Sequence, residues 1–577
     1  MISNRAIAEI LKEIAIYLEM QDVPFKPRAY EKVAEVIAGL EEEVAEIYKR
    51  GGLKAIEEIP GVGKGIGERI EELLKTGRLK YYEELKKKTP VDLSTLSAIE
   101  GLGPKSVKKL YQKLGVRNIA DLEKAARAGK VAKLEGFGVK SEEKILKGIG
   151  FVKKSGGRFV LGLVMPEIRA IEARLRKVAG VEKLIVAGST RRMKETIGDV
   201  DILVASHDSK PIMDHFVAMP EVVQVLAHGE TKSSVKIKSG LNIDIRVVPH
   251  ESYGAALNYF TGSKDHNVAL RRIAIEKGLK LNEYGLFRGK KMVAGRTEEE
   301  LYRALGMDYI EPEMREDTGE IELARKHALP KLIGYGGLEG DLQVQTSWTD
   351  GSDTIEAMAK AAIKNGLKYI AITDHTSRLA MTGGLDEKRI VKQLAEIDKV
   401  NAWFKVHGSR FMVLKGTECD ILKDGSLDLP DVILSKLDVV GASVHSHFNL
   451  PRKDQTERVV RAMSNPNVDI LFHPTGRIIN RREPYDVDMD ELIRTAKRTG
   501  TVMEIDAYPV RLDLRDEHIR KCVEAGVKMS IDSDAHSPAH FPFLECGIAQ
   551  ARRGWAEKKD IINAWPLEKM TKFLKKK

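Results

Sequence analysis

The pattern of apolar and polar positions divides the chain into three parts. In residues 1–50 apolar side chains recur three or four positions apart, which predicts amphipathic helices. In residues 184–248 short apolar runs and stretches of period two predict strands. Beyond residue 340 apolar strands alternate with helical stretches. The pattern therefore predicts a multidomain chain with a helical beginning, an α+β middle and an α/β end.

Two of the predicted strands carry three carboxylates. Asp199 and Asp201 lie two positions apart and share a face, and Asp244 lies in a strand whose apolar residues take the odd positions. Like charges so close stay ionised only beside a cation, and carboxylate oxygens suit Mg²⁺ or Mn²⁺. Three such groups can hold two metal ions for phosphoryl or nucleotidyl transfer. The alternative is an exposed strand face with paired salt bridges.

The turn before these acids is suited to an anion. The apolar run 184–187 ends in Gly188 and Ser189, and two arginines follow at once. Glycine lets the backbone approach a ligand closely, and Arg192 can meet a phosphate with two parallel hydrogen bonds. We therefore expect a phosphate site next to the metal site.

A glycine hairpin of the form apolar-x-Gly-apolar-Gly, with a lysine one or two positions later, occurs in residues 59–67, 99–105 and, more loosely, 134–140. The amides of such a hairpin, at the start of a helix, can bind a backbone phosphate without reading sequence. Residues 101–160 also contain 15 Lys and Arg against 5 Asp and Glu. The difference, 15 minus 5, equals the net charge of +10 of the whole chain. Both features indicate a polyanionic partner.

Composition narrows the class of protein. With 577 residues, 42% hydrophobic and 31% charged, the chain is expected to be a soluble protein of several domains. No signal peptide and no apolar stretch of about 18 residues is present, so we expect a cytoplasmic protein without a membrane partner. The three cysteines are too few and too scattered for a disulfide framework. We expect them in the core, and we expect a monomer.

Residues 311–340 are acidic at first and glycine-rich later, which predicts a linker. Beyond this segment, several predicted strands end in a potential metal ligand. Each histidine alone is more typical of a satisfied core or surface residue, but ligands gathered at strand ends are typical of an α/β barrel. The candidate metal ligands are Asp350, His375, Glu418, His445, His473, Asp534 and His536.

These motifs resemble those of known families. The turn at Gly188, the motif from Gly198 to Asp201, and Asp244 resemble the palm of nucleotidyltransferases, and residues 259–263 (Tyr-Phe-Thr-Gly-Ser) are similar to the sugar-sensing motif of family X DNA polymerases. The glycine hairpins resemble helix-hairpin-helix motifs, and the C-terminal ligand set resembles the polymerase-and-histidinol-phosphatase (PHP) domain. In this order they resemble a bacterial or archaeal family X DNA polymerase with a C-terminal PHP domain.

The resemblance implies a fold of helical helix-hairpin-helix domains, an α+β nucleotidyltransferase palm and a distorted, TIM-like α/β barrel. The domain limits that we expect are 1–85 and 86–155 (helix-hairpin-helix domains), 156–250 (palm), 251–315 (nucleotide-selecting subdomain), 316–336 (linker) and 337–577 (PHP domain). The implied activity is gap filling in DNA repair with dNTPs on gapped or primer-template DNA.

The resemblance also implies roles for single residues. Those implied to bind catalytic Mg²⁺ or Mn²⁺ are Asp199, Asp201 and Asp244. Those implied to bind the nucleotide are Gly188, Ser189, Arg192, Gly198, Tyr259, Phe260, Gly262 and Asn267. Those implied to bind DNA are Gly61, Gly63, Gly101, Gly103, Lys105 and Arg271. The seven ligands of the PHP domain are implied to hold Zn²⁺ or Mn²⁺ in a trinuclear centre.

The chain departs from the family at two places. Arg69 stands where the polymerase beta branch has a Schiff-base lysine, and an arginine cannot lose its proton, so lyase activity is not expected. Gln343 and Gln345 replace the His-x-His of the first PHP strand. Because glutamine is a weak, neutral ligand, we expect an incomplete metal centre and weakened or absent 3′–5′ exonuclease activity. The alternatives are a DNA end-processing nuclease or a non-catalytic scaffold for gapped DNA.

Overall fold

The computed structural model describes residues 4–38, 40, 42–97, 99, 102–154, 157–379 and 382–575. The chain divides into two compact units. The first comprises Met1–Gly157 with Arg477–Pro484 and Ser537–His540, and the second comprises Arg158–Gly476, Tyr485–His536 and Phe541–Lys577. Among the described residues, every helix is too short or too polar to cross a membrane.

The N-terminal part of the first unit is helical. Its helices are α1 (Asn4–Met20), α2 (Lys26–Ala38), α3 (Val44–Glu57), α4 (Lys64–Thr76), α5 (Lys80–Lys88), α6 (Leu93–Ser97), α7 (Pro104–Leu114), α8 (Ile119–Arg127) and α9 (Val139–Lys154). In α1 the apolar residues at helical spacing, Ile7, Leu11 and Ile14, are fully buried. The helices predicted for residues 1–50 are therefore confirmed.

The second unit begins with a small mixed fold. Its elements are β1 (Phe159–Val160), α10 (Leu161–Leu175), β2 (Lys183–Val186), α11 (Gly188–Arg191), β3 (Thr196–Ile197), β4 (Asp199–Ala205), α12 (Lys210–Val217), β5 (Val222–His228), β6 (Lys232–Ile237) and β7 (Asn242–Val248). The sheet order is β2-β4-β7-β6-β5, and β4 runs parallel to β7 while the other pairs are antiparallel. Ile243 and Ile245 are fully buried, as period two predicts, so Asp244 faces away from the core.

The next segment packs helices against a small sheet. Its elements are α13 (Tyr253–Thr261), α14 (Lys264–Glu276), β8 (Lys280–Asn282), β9 (Gly285–Arg288), β10 (Lys291–Ala294), α15 (Glu298–Ala304) and α16 (Glu320–Arg325). Composition predicts a linker over residues 311–340, but within it Pro312–Met314 form a 3₁₀ helix and Glu320–Arg325 form α16. The physical reason is ion pairing, since the fully buried Arg315 lies 2.5 Å from Glu298.

The remainder of the second unit is a barrel. Its elements are β11 (Gly340–Val344), α17 (Ile355–Lys364), β12 (Tyr369–Ile372), α18 (Glu387–Val406), β13 (Met412–Asp420), α19 (Asp431–Leu434), β14 (Val439–Ser443), α20 (Arg452–Met463), β15 (Ile470–Leu471), α21 (Met489–Thr499), β16 (Val502–Asp506), α22 (Asp516–Ala525), β17 (Met529–Asp532), α23 (Leu544–Arg553) and α24 (Leu567–Leu574). The seven strands are parallel and follow chain order. A bridge from Val344 to Ala535 nearly closes the sheet, which confirms the predicted α/β barrel.

Candidate active sites

The parallel pairing of β4 with β7 brings the palm carboxylates together. Asp201 lies directly opposite Asp244, and Asp199 stands two positions before Asp201 on the same face. Asp199 is exposed, and the other two are half-buried. A cleft lined by Asp201, Asp244, Lys232 and Arg246 opens here. The period-two strand pattern was sufficient to predict this set of three acids.

Charges at this cleft are only partly balanced. Burial raises the pKa of Asp201 to about 6, and Asp199 and Asp244 act in the same direction, against Lys232 and Arg246. Lys232 Nζ lies 2.7 Å from Asp244 Oδ2. The three clustered oxygen donors fit a hard divalent cation, because such an ion would remove the mutual repulsion. The sequence does not predict this position of Lys232, because lysines are common on exposed strands and do not by themselves indicate a site.

The glycine turn lies directly against the acids. Gly188 has φ +63° and begins α11, and a Cβ built on it would lie 2.5 Å from Asp201 Oδ2. A larger residue is therefore excluded by both conformation and space. The amide of Ala187 donates to the carbonyl oxygen of Asp201 at 2.7 Å, which ties the turn to β4. Ser189 is half-buried beside Gly188, and Gly198 is exposed just before Asp199.

The two arginines after this turn have different surroundings. Arg191 donates two hydrogen bonds to the carboxylate of Glu298, at 3.0 and 2.6 Å. Arg192 lies with Nε 3.2 Å from Glu316 Oε1, and its Nη1 donates to the carbonyl oxygen of Thr261. Both side chains are 13% exposed, and both guanidinium groups are held by partners in the fold.

Residues 259–263 border the same cleft. Tyr259 is exposed, and its ring meets that of Phe260 edge-on at 5.1 Å between centroids. Arg246 lies over the Phe260 ring at 4.8 Å. Tyr259 is thus outside the core, whereas Phe260 is partly buried and packs against the core cluster that contains Ala187 and Leu203. Gly262, with φ +72°, leaves room for Arg192, because a Cβ there would lie 3.0 Å from Arg192 Nη1.

Two further predicted residues differ in their exposure. Asn267 is buried, and its amide donates to the carbonyl oxygen of Tyr259 at 2.7 Å, so in this structure it supports the aromatic pair. Arg271 on α14 is exposed.

All three glycine hairpins lead directly into helices, namely α4, α7 and α9. Gly61 has φ +83°, and Gly63 and Gly103 are the extended residues before α4 and α7. As glycines they offer no side chain to cap the helix, so the first-turn amides stay available for a phosphate. Lys105 is exposed in the first turn of α7. The predicted DNA contact at Gly101 lies outside the described residues.

Arg69, at the position discussed for lyase chemistry, is held by aromatic residues. Its guanidinium lies 3.9 Å from the centroid of the Tyr81 ring, and it donates to the Tyr30 hydroxyl. A stacked guanidinium of this kind has no nucleophilic lone pair to offer.

Glu418 is the centre of the barrel site. This buried carboxylate on β13 lies 2.8 Å from His473 Nε2, 3.1 Å from His445 Nε2 and 3.4 Å from His375 Nδ1. Burial alone would lower the pKa of His445, but Asp420 and Glu418 raise it to about 9. The three imidazoles come from the ends of different strands, as predicted for ligands of a barrel.

Two groups in the described part of the barrel could hold a metal ion. They are Asp350, His375 and His536, and His375, Glu418 and His445. Nitrogen and oxygen donors in these groups suit Zn²⁺ or Mn²⁺. His473 contacts Glu418 without completing either group. Asp534 also stays outside them, since its Oδ2 lies 3.5 Å from Arg511 Nε.

The side-chain amides of Gln343 and Gln345 both donate hydrogen bonds to Glu418. Both are fully buried, and their Nε2 atoms donate to Glu418 Oε2 at 3.2 and 2.8 Å. Among the described residues, neither Oε1 atom has a hydrogen-bond partner. With two N–H donors directed at the oxygen that a metal requires, these residues do not fit a metal ion at this position.

Sequence reasoning missed Arg511 and Asp506. Arg511 Nε lies 3.4 Å from Asp506 Oδ2, and burial raises the pKa of Asp506 further than Arg511 lowers it. Asp506 ends β16, and extending the strand-end pattern to residues 502–506 would have found it.

Comparisons with known proteins cover the whole chain. Residues 2–79 match the helix-hairpin-helix domain family and residues 93–150 the SAM-like helix-hairpin-helix tandem. Residues 166–275 match the DNA polymerase beta palm, residues 256–316 the DNA polymerase beta thumb, and residues 341–540 the PHP domain.

Similar proteins are found in bacteria. The chain is 39% identical over 578 residues to the DNA polymerase/3′-5′ exonuclease PolX of Bacillus subtilis (strain 168), covering 99% of each protein. Its C-terminal part is 34% identical over 193 residues to a probable phosphatase of Thermoanaerobacter sp. (strain X514). That match covers 32% of this chain and 72% of the phosphatase.

Proposed function

Because the chain belongs to the family X DNA polymerases of the PolX type with a C-terminal PHP domain, we propose that it fills short gaps in DNA during repair. The reaction adds deoxynucleotides from dNTPs to a primer 3′ end. The observation that supports this most directly is the register of Asp201 opposite Asp244, with Gly188 packed against the Asp201 carboxylate.

Each palm residue has a defined task in this proposal. Asp199, Asp201 and Asp244 hold Mg²⁺ or Mn²⁺, which when bound lowers the pKa of the primer hydroxyl and neutralises the triphosphate. The amides after Gly188 and the Arg192 guanidinium bind the phosphates. In the described structure the guanidinium is fixed by Glu316 and Thr261, so it is oriented before a ligand binds.

The remaining residues select the substrates. Tyr259 and Phe260 form a wall for the incoming sugar, where their bulk excludes a 2′-hydroxyl. The hairpins at Gly63 and Gly103 bind backbone phosphates of gapped DNA through uncapped helix amides. Because these contacts read no bases, the protein accepts gaps of any sequence.

A primer-extension assay on DNA with a one-nucleotide gap tests this function. The parent protein and Asp244→Ala are compared with and without dNTPs, and gapped-DNA affinity is measured in parallel. Extension that is lost in Asp244→Ala, with affinity unchanged, supports the polymerase. Shortening of the primer without dNTPs indicates an end-processing nuclease, and binding without any reaction indicates a scaffold.

For the PHP barrel we propose a metal-bearing site with weak or absent 3′–5′ exonuclease activity. The supporting observation is the pair of amide donors, Gln343 and Gln345, on Glu418 Oε2. Asp350, His375, Glu418, His445 and His536 remain to hold metal through the two groups described above. Hydrolysis of a phosphodiester needs an activated water as well as a polarised phosphate, so losing one ion costs more than a proportional share of the rate.

The double variant Gln343→His, Gln345→His tests this second proposal. Metal content per chain and degradation of a labelled 3′ end are measured with Mn²⁺ in the Asp244→Ala background, which removes synthesis. The double variant is expected to gain one ion and to degrade DNA faster. Brisk degradation by the parent, or an added ion without activity, contradicts the proposal.

A further inference from the structure

The barrel packs directly against the palm within the second unit. Helix α10 of the palm meets the barrel at Gly162, where an added Cβ would lie 2.9 Å from Cys546 Sγ and 2.9 Å from Pro509 Cβ. Contact this close leaves no room for a side chain. The barrel helix α23, which begins just before Cys546, is therefore seated firmly on the palm.

Arg553, the last residue of α23, reaches from the barrel to the phosphate turn. Its side chain is only 3% exposed. Its Nη1 donates to the backbone carbonyl of Arg192 at 3.0 Å and to Glu316 Oε1 at 3.1 Å. Its Nη2 donates to Asp516 Oδ2 at 2.5 Å, so the barrel itself orients the guanidinium.

Glu316 connects this arginine to the palm. The same oxygen, Oε1, lies 3.2 Å from Arg192 Nε and 3.5 Å from Lys194 Nζ. Burial alone would raise the pKa of Glu316, but Arg553, Lys194 and Arg192 together lower it, so the carboxylate is charged at neutral pH. One oxygen therefore joins cations from the palm and the barrel.

Arg192 is thus constrained from several sides. Glu316 accepts from its Nε, the carbonyl of Thr261 accepts from its Nη1, and Arg553 binds its backbone carbonyl. A guanidinium that is held before ligand binding loses less conformational entropy when it meets a phosphate. Small displacements of such a group weaken binding strongly.

We propose that Arg553 is a positioning residue for nucleotide binding, through which the C-terminal barrel fixes Arg192 where the dNTP triphosphate binds. This inference rests on the proposed polymerase function. It makes the barrel part of the nucleotide site, whatever the nuclease activity of the barrel. Arg553 itself does not touch the nucleotide and acts through Glu316 and the Arg192 backbone.

A different ion pair between palm and barrel, between helices α10 and α23, supplies a matched control. Arg169 on α10 pairs with Glu545 on α23, and both side chains are partly exposed, at 53% and 39%. This pair joins palm and barrel but makes no contact with the phosphate turn among the described residues. If docking of the barrel were all that mattered, both pairs should have similar effects.

The test compares Arg553→Met, Glu316→Gln and Arg169→Met with the parent in gap filling, after thermal unfolding has shown which variants are folded. Arg553→Met is expected to raise KM for dATP opposite thymine roughly tenfold and to change kcat less than about twofold. Glu316→Gln, which keeps its shape, is expected to raise KM in the same direction. Arg169→Met is expected to leave KM unchanged.

Binding of Mg²⁺-dATP to the protein without DNA, measured by calorimetry, gives a second readout. We expect the dissociation constant to rise in Arg553→Met and Glu316→Gln by similar factors, and not to rise further in the double variant, because both act on one guanidinium. An unchanged KM and affinity in folded Glu316→Gln and Arg553→Met would overturn the inference. Absence of extension by the parent would instead overturn the proposed function.

Discussion

The palm and the barrel each place carboxylates at a candidate metal site, but the partners of these carboxylates differ. In the palm, Lys232 lies 2.7 Å from Asp244, and burial, together with repulsion from Asp199 and Asp244, raises the pKa of Asp201 to about 6. In the barrel one carboxylate, Glu418, lies within 3.4 Å of five side-chain nitrogen atoms. These atoms belong to Gln343, Gln345, His375, His445 and His473.

The difference shows that counting potential ligands is not enough to identify a working metal site. The charges of the palm carboxylates are only partly balanced by Lys232 and Arg246, so a metal ion is the partner that completes them. Glu418 is already surrounded by nitrogen atoms, and two of these belong to amide groups. An amide N–H does not lose its proton to make room for a metal ion. The palm site is therefore suited to bind a metal ion, whereas the barrel position beside Gln343 and Gln345 is not.

Removing a palm acid should produce the largest effect. Asp201→Ala is expected to reduce single-turnover nucleotide addition by on the order of a thousandfold or more, because the ions lose a shared ligand. Thermal stability in EDTA should be unchanged or higher, since like-charge repulsion is relieved. A clear loss of stability in EDTA would show that Asp201 is a structural residue and would break the comparison.

Removing the central barrel acid should instead affect the fold. Glu418→Ala is expected to destabilise the barrel by about 3–5 kcal/mol in EDTA, since buried imidazoles and amides lose their acceptor. Urea unfolding followed by tryptophan fluorescence measures this. Asp350→Ala is the control, because Asp350 belongs to the same candidate centre but its side chain is 32% exposed. Equal losses in the two variants would contradict the proposed role of Glu418.

The buried carboxylate of Glu298 extends the comparison to a site whose cations are two arginine side chains instead of a metal ion. Burial alone would raise its pKa, but Arg315 and Arg191 lower it to about 2. The folded pKa is thus below the unfolded value of 4.5, so the stabilisation is complete above pH 4.5 and is lost as pH falls towards 2.

The expected contribution of Glu298 is about 3 kcal/mol at neutral pH. It is measured as the pH dependence of unfolding free energy between pH 5 and pH 2.5, in steps of about half a unit. Glu298→Gln should be less stable than the parent at pH 5 and should lose less stability on acidification. Parallel pH curves for the two proteins would show that the ion pairs contribute nothing.

The smallest expected effect concerns the cation beside the palm acids. Lys232→Met should tighten Mn²⁺ binding to the DNA-free protein by about two- to fivefold, because this partly exposed ion pair is worth at most about 1 kcal/mol. Electron paramagnetic resonance of free Mn²⁺ measures the change. Lys238→Met removes the same charge from the turn after β6 and should leave the affinity unchanged. Weaker binding in Lys232→Met would mean that Lys232 assists the ion.

The sequence by itself determined the features that depend on local spacing. Period two placed Asp199 and Asp201 on one face of their strand and Asp244 on the polar face of another strand, and the position of Gly188 after a strand predicted a turn. The order of hairpins, palm and C-terminal ligand set was sufficient for the family. These predictions succeeded because strand geometry and glycine conformation depend on neighbouring residues alone.

Only the tertiary structure decided which charges meet across the fold. Composition predicted a linker where Arg315 is buried against Glu298, and nothing in the sequence connects Arg553 with Arg192, some 361 positions apart. The sequence also does not connect Gln343 with Glu418. A glutamine in a strand does not indicate which carboxylate oxygen its amide will approach. The physical reason is that the partner of a buried charge is set by chain topology and packing, which bring distant segments together and exclude the water that would otherwise serve as partner.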